Sequence, residues 1–154
     1  MGSWARAAAR WLGLEVSQQG ASLQVMDDMR AWARLGHQLA GRAAAVLGDA
    51  SASLVLEVPG DPCRYVQWHG ESGREFYAEA ASGEYDDTHR TPSEIATLTS
   101  LGWAAPGQGW GAEKVRNWSL HWAAPVDLYA VVRLTVRTLR EVFHADPHDL
   151  MELL

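Results

Sequence analysis

His144, Asp146 and His148 fall close together late in the sequence, and three ligating side chains at that spacing could grip a metal ion. Pro147 interrupts them, and zinc wants three or four ligands with supporting partners, so a solvated helix end is the better reading. Glu71, Glu75, Glu79, Glu84, Asp86 and Asp87 could supply paired carboxylates for acid–base work, but most lie in turns or a charge-rich loop where solvation accounts for them. Cys63 sits in a proline-flanked turn with no histidine at a telling spacing, which suits a bystander thiol better than a nucleophile. His69 and His121 share one kind of strand face and could sense pH, and Arg133, Arg137 and Arg140 could grip an acidic partner. Plain solvated faces explain both sets. There is no phosphate-cradling glycine loop between a strand and a helix. The expectation is a protein with no catalytic residue, no cofactor and no metal.

Aromatic side chains are harder to dismiss. The sequence holds eight tryptophans, more than one modest core usually absorbs. Four of them, Trp103, Trp110, Trp118 and Trp122, fall in the single passage "LGWAAPGQGWGAEKVRNWSLHW". Core corner, partner-binding surface and ligand pocket are the competing explanations.

The elements around these residues separate the three. A chain of 154 residues is long enough for one domain with a substantial core. "SWARAAARWLG" reads as a short amphipathic helix carrying Trp4 and Trp11, and "SQQGAS" as a linker, which together make residues 1–22 an N-terminal appendage. A helix follows over about 23–47, with Val25, Met29, Trp32, Gly36, Leu39, Ala43 and Val46 on its apolar stripe. "SLVLEV", "RYVQWHG" and "REFYAEAAS" then read as an antiparallel meander, the first two separated by the turn "PGDP". In "TPSE", Thr91, Pro92 and Glu94 form a capping box with proline at the first helical position. That helix carries Ile95 and Leu98 and stops at Gly102, after which Trp103 can fold back on Leu98. "NWSLHW" is a fourth strand, and a long helix over 128–143 precedes a short final turn begun by Asp146 and Pro147.

This order, α-α-β-β-β-α-β-α, argues an α+β fold: an antiparallel sheet with helices packed on one face. The domain runs over 23–150 and leaves 151–154 as a tail. Alternation places Leu54, Leu56, Val66, Trp68, Phe76 and Ala78 on the core face, and Tyr65, Gln67, His69, Tyr77 and Glu79 on the other. Trp68, Trp103, Trp118 and Trp122 are expected to be structural. Tyr65 and Tyr77, with Trp110 in an adjacent loop, would form a flat aromatic patch of the composition that binding surfaces favour. Strand edges would admit an extended peptide.

The formal net charge of −6 argues against binding a phosphate backbone. A single cysteine suits a reducing compartment, and no stretch is long and apolar enough to span a bilayer, so a cytoplasmic location is expected.

Five segments, "YVQW", "YAEAASGEY", "LGWAAP", "NWSLHWAAPVD" and "TLREVFHADPHDL", occur in this order. Together they resemble the actinobacterial TY-Chap family, grouped with YbjN proteins and type III secretion chaperones, over roughly residues 24–150. Gly83 stands where that family usually has asparagine, a small departure in a turn. The resemblance implies a secretion-chaperone-like α+β fold, often dimeric, that binds peptide or protein segments without catalysis or cofactor. The positions it carries over are Tyr65, Gln67, Glu79, Trp103, Asn117 and Trp118.

The expected function is therefore a non-enzymatic peptide-binding module, a chaperone-like holder of an extended client segment. Its expected peptide-binding residues are Tyr65, Gln67, Tyr77, Glu79, Trp110 and Asn117. Two alternatives stand beside it. One is an assembly subunit whose aromatic surface serves self-association as a homodimer. The other is a small-molecule binder or enzyme with a pocket under the Trp-rich loop.

Overall fold

The computed structural model describes residue 10 and residues 23–71, 75–83, 89–108 and 116–154. The expected first helix, with Trp4 and Trp11, the linker after it, and Trp110 lie outside these residues. Helix α1 (Leu23–Gly48) leads into β1 (Ser53–Val58), β2 (Asp61–Glu71) and β3 (Glu75–Ala80). Helix α2 (Pro92–Leu101) separates β3 from β4 (Trp118–Trp122). Helix α3 (Leu128–Arg137) continues into a π-helical turn (Thr138–Val142), and α4 (Pro147–Glu152) ends the fold. The four strands form one antiparallel sheet in the order β1-β2-β3-β4. This is the α+β architecture that the order of elements implies.

One core lies between the sheet and the helices. Met29, Trp32, Leu35, Leu39, Ala43 and Val46 of α1 meet Leu56, Val66, Trp68, Phe76 and Ala78 of the sheet and Val131, Val132, Val136 and Leu139 of α3 and its π-helical continuation. Trp68, Phe76 and Trp122 form an edge-to-face row, with ring centroids 5.6 and 6.1 Å apart. Two positions depart from the sequence reading: Val25 is 45% exposed and Ile95 42% exposed. Periodicity fixes which side of a helix faces inward, but not where along its axis the neighbours end. The stripe of α1 is buried only from Met29 onward, and α2 buries Glu94 and Leu98 alone.

Gly70 explains how tightly α1 closes on the sheet. A Cβ there would stand 2.3 Å from the Val46 carbonyl oxygen and 2.6 Å from that of Asp49, both backbone atoms. The sequence marks Gly70 only as the last residue of the strand "RYVQWHG", and its packing role needs the three-dimensional approach of α1 to be seen.

The stretch from Leu128 to Val142 is not one continuous α-helix. At Thr138 the ladder widens: Phe143 N–H reaches back five residues to the Thr138 carbonyl at 3.1 Å. Thr138 Oγ1 donates to the Leu134 carbonyl at 2.8 Å and accepts the Trp103 indole N–H at 2.9 Å. Three residues earlier, Thr135 Oγ1 accepts the Trp68 indole N–H at 3.0 Å. Two buried hydroxyls on one helical stretch thus satisfy two buried indoles. Trp103 is placed for this by the end of α2. Gly102 takes a left-handed φ of 95°, and Trp103 N–H bonds to the Leu98 carbonyl at 3.1 Å.

Candidate functional site

The sheet face turned away from the helices carries the odd-numbered strand residues. Cross-strand register sets His69 beside Tyr77 and Tyr77 beside His121, and sets Val55 beside Gln67, Gln67 beside Glu79 and Glu79 beside Ser119. Five of the six expected peptide-binding residues meet here, around one carboxylate. Gln67 Nε2 donates to Glu79 Oε2 at 2.5 Å, and Asn117 Nδ2 donates to the same oxygen at 2.8 Å. Tyr77 OH donates to Glu79 Oε1 at 3.0 Å. Asn117 Nδ2 also donates to Tyr65 OH at 3.0 Å, while its Oδ1 accepts the Ser82 N–H at 3.2 Å. The sixth residue, Trp110, lies outside the described residues.

A carboxylate held by three neutral donors is fixed in place but keeps its charge. The consequence falls on Tyr77. Burial first, then the negative charge of Glu79 and the hydrogen bond to it, push the Tyr77 hydroxyl well above the ordinary tyrosine range. Ser119 Oγ lies near enough to offset this in part, yet it is buried and, among the described residues, outside hydrogen-bonding geometry with any group. His121 Nε2 stands 3.0 Å from Glu75 Oε2 on the same face.

This cluster corrects the picture of a flat aromatic patch open to water. Tyr77 is only 7% exposed and Asn117 4%, while Tyr65, Gln67 and Glu79 are half-buried. On the β3–β4 half of the face Tyr77, Asn117 and Ser119 are buried, and the Tyr65 and Tyr77 hydroxyls are engaged with Asn117 and Glu79. Alternation located the face correctly and could not foresee that its hydroxyls and amides converge. Ser82 and Ser119 went unremarked in the sequence reading, although the alternation of β4 already put Ser119 on the same face as His121.

The opposite half of the face is open. Ser53, Val55 and Glu57 of β1 are exposed, Val55 by 51%. Among the described residues their outward backbone groups have no partner either. Gly70 N–H bonds to the Ala52 carbonyl at 3.2 Å, which fixes the phase of the β1–β2 ladder. Antiparallel pairs alternate, so Leu54 and Leu56 bond toward β2, while the N–H and C=O of Ser53, Val55 and Glu57 point outward. Among the described residues β1 pairs with β2 alone. The other edge differs: Ala104 and Ser119 exchange two backbone bonds of 3.0 Å, which occupy the outward backbone groups of Ser119 near the start of β4.

A second polar cluster is structural. Glu94 closes the capping box of α2, its Oε2 accepting the Thr91 N–H at 2.7 Å and Thr91 Oγ1 accepting the Glu94 N–H at 3.2 Å. Its other oxygen lies 3.4 Å from Arg64 Nη2 and 3.8 Å from Arg90 Nη1. Arg90 lies over the Phe143 ring, 5.2 Å from its centroid, and donates to the Cys63 carbonyl at 2.6 Å. Burial weakens the hold of Arg90 on its proton, and the charge of Glu94 opposes that. The cluster ties α2 to β2 and to the end of the π turn. Of the metal candidates, Asp146 caps α4 by accepting the His148 N–H at 2.8 Å, while His144 and His148 are exposed. Arg137 forms a two-pronged bond with Glu141 at 2.8 and 3.0 Å, and Arg133 is exposed.

A family model described as "T3SS (YopN, CesT) and YbjN peptide-binding chaperone 3" matches residues 26–152. The chain belongs to this TY-Chap family. The family is one of peptide-binding chaperones, which supports a chaperone-like role and points to a non-enzymatic protein with a protein or peptide partner. No curated protein and no solved structure matches the chain. Among the described residues no helix is long and apolar enough to cross a membrane.

Proposed function

We propose that this TY-Chap protein holds an extended segment of a client protein by adding it as a fifth strand at the edge of β1. The observation that carries the reading is the outward-facing backbone of Ser53, Val55 and Glu57, flanked by the exposed side chain of Val55. Backbone bonds at such an edge supply affinity, and alternate side chains supply selectivity. Tyr65 and Gln67, next inward from the edge, would touch client side chains that lie across the face. Tyr77, Glu79 and Asn117 would act as the rigid polar base beneath them, and Trp110 as a further contact. No catalysis is involved. Binding would follow mass action in the cytoplasm, which the single cysteine suits. A homodimer through the same edge is the competing use of β1.

Val55→Pro is the direct test. It removes an outward N–H without touching the β1–β2 ladder, and proline is tolerated at edge-strand positions of this kind. Binding of a permanently unfolded, carboxymethylated polypeptide is expected to weaken about tenfold or more, with thermal stability nearly unchanged. Trp110→Ala should weaken binding less, and Tyr77→Phe should leave it as it was. Unchanged binding by Val55→Pro would overturn the reading. A concentration-dependent size that Val55→Pro abolishes, without any peptide binding, would assign the edge to self-association.

A further inference from the structure

The sign of the charge on the open face says which client segments the edge would favour. Strand positions on that face carry Glu57, Glu71, Glu75 and Glu79, and no lysine or arginine. Glu75 Oε2 stands 3.0 Å from His121 Nε2, and Glu79 is held by neutral donors. Glu57 is exposed on the edge strand itself and has no ion-pair partner among the described residues. Like charges facing each other across a strand pair are unfavourable and opposite charges favourable, so this edge discriminates between basic and acidic segments.

The register makes the preference positional. Every neighbouring pair in the sheet is antiparallel. A strand added in the same sense meets Glu57 first, Val55 two residues later and Ser53 two residues after that, all on the open face. Resting on the strand-addition reading, we infer that the edge of β1 selects basic, β-branched client segments, with lysine or arginine opposite Glu57 and an aliphatic β-branched residue two positions on, opposite Val55. Serine or threonine suits the position opposite Ser53. The partner is thus a positively charged extended peptide in which the basic and aliphatic residues alternate with residues turned to the helix side.

Two synthetic nine-residue peptides test this, with the central sequence Lys-Thr-Val-Thr-Ser in one and Glu-Thr-Val-Thr-Ser in the other. Titration calorimetry on the intact protein at low salt is expected to show the lysine peptide binding about tenfold more tightly, and the difference should shrink several-fold at 0.5 M salt. Glu57→Lys should reverse the order of the two peptides while leaving the fold intact, because Glu57 is exposed. Equal affinity for both peptides, or an order that Glu57→Lys does not change, would overturn the charge selection and leave strand addition standing. Failure of both peptides to bind would overturn this inference and count against the edge as a binding site altogether.

Discussion

Asn117 Nδ2 lies 2.8 Å from Glu79 Oε2, which ties the residue just before β4 to the end of β3. The same amide reaches Tyr65 OH and takes the Ser82 N–H, so one side chain joins β2, β3 and the chain leaving β3. Asn117→Asp would replace the donor with a second carboxylate facing Glu79. The expected loss is about 1–3 kcal/mol at pH 7, measured by urea unfolding. It should shrink as pH falls toward about 4, where one of the two carboxyls takes a proton. A loss that does not depend on pH would mean that the two side chains are not in contact.

Tyr77 gives the opposite pH signature. Its hydroxyl is raised above the ordinary value of 10.0, chiefly by burial and then by Glu79. A group raised on folding contributes stability that is complete below its unfolded value and is lost as pH rises beyond it. Stability should therefore fall as pH climbs above about 10, and fall less steeply in Tyr77→Phe. Parallel slopes for the two proteins would contradict the placement of this hydroxyl.

Gly70→Ala tests the closest approach in the core. The added carbon would overlap the backbone carbonyls of Val46 and Asp49, and a backbone cannot turn aside as a flexible side chain can. The expected destabilisation is about 3 kcal/mol, seen as a large drop in thermal midpoint. A near-neutral substitution would mean that α1 does not pack against β2 at this distance.

Thr135→Val keeps the shape of the side chain and removes the acceptor for the Trp68 indole. A buried N–H left without a partner costs about 1–3 kcal/mol. Thr135→Ser keeps the hydroxyl and should retain the hydrogen-exchange protection of that indole. If valine and serine behave alike, the bond at 3.0 Å contributes nothing.

Much of this fold was legible because its signals are local. The capping box of Thr91 and Glu94, the stop at Gly102 and the alternation of Val66, Trp68, Phe76 and Ala78 each depend on neighbours within a few residues. The same alternation separated Tyr65, Gln67, Tyr77 and Glu79 from the core. What stayed hidden depends on residues far apart in sequence. The meeting of Gln67 and Asn117 on one Glu79 oxygen spans three elements, and the approach that demands Gly70 comes from α1. The π turn at Thr138 is hidden for a related reason, because the Trp103 indole that bonds there arrives from the end of α2. The free edge at Val55 was visible only as one of several strand edges. Deciding between β1 and β4 required seeing Ala104 lie against Ser119.

The central claim is that an extended segment joins the sheet along β1. Residue-resolved amide exchange, with and without the lysine-bearing peptide, tests it most directly. In the free protein the amides of Ser53, Val55 and Glu57 should exchange quickly, while those of Leu54 and Leu56 are already protected by β2. Peptide binding should slow Val55 and Glu57 by tenfold or more and leave the Ser119 amide unchanged. Protection that appears on β4 or the helices, with Val55 and Glu57 still exchanging at their free rates, would contradict the account.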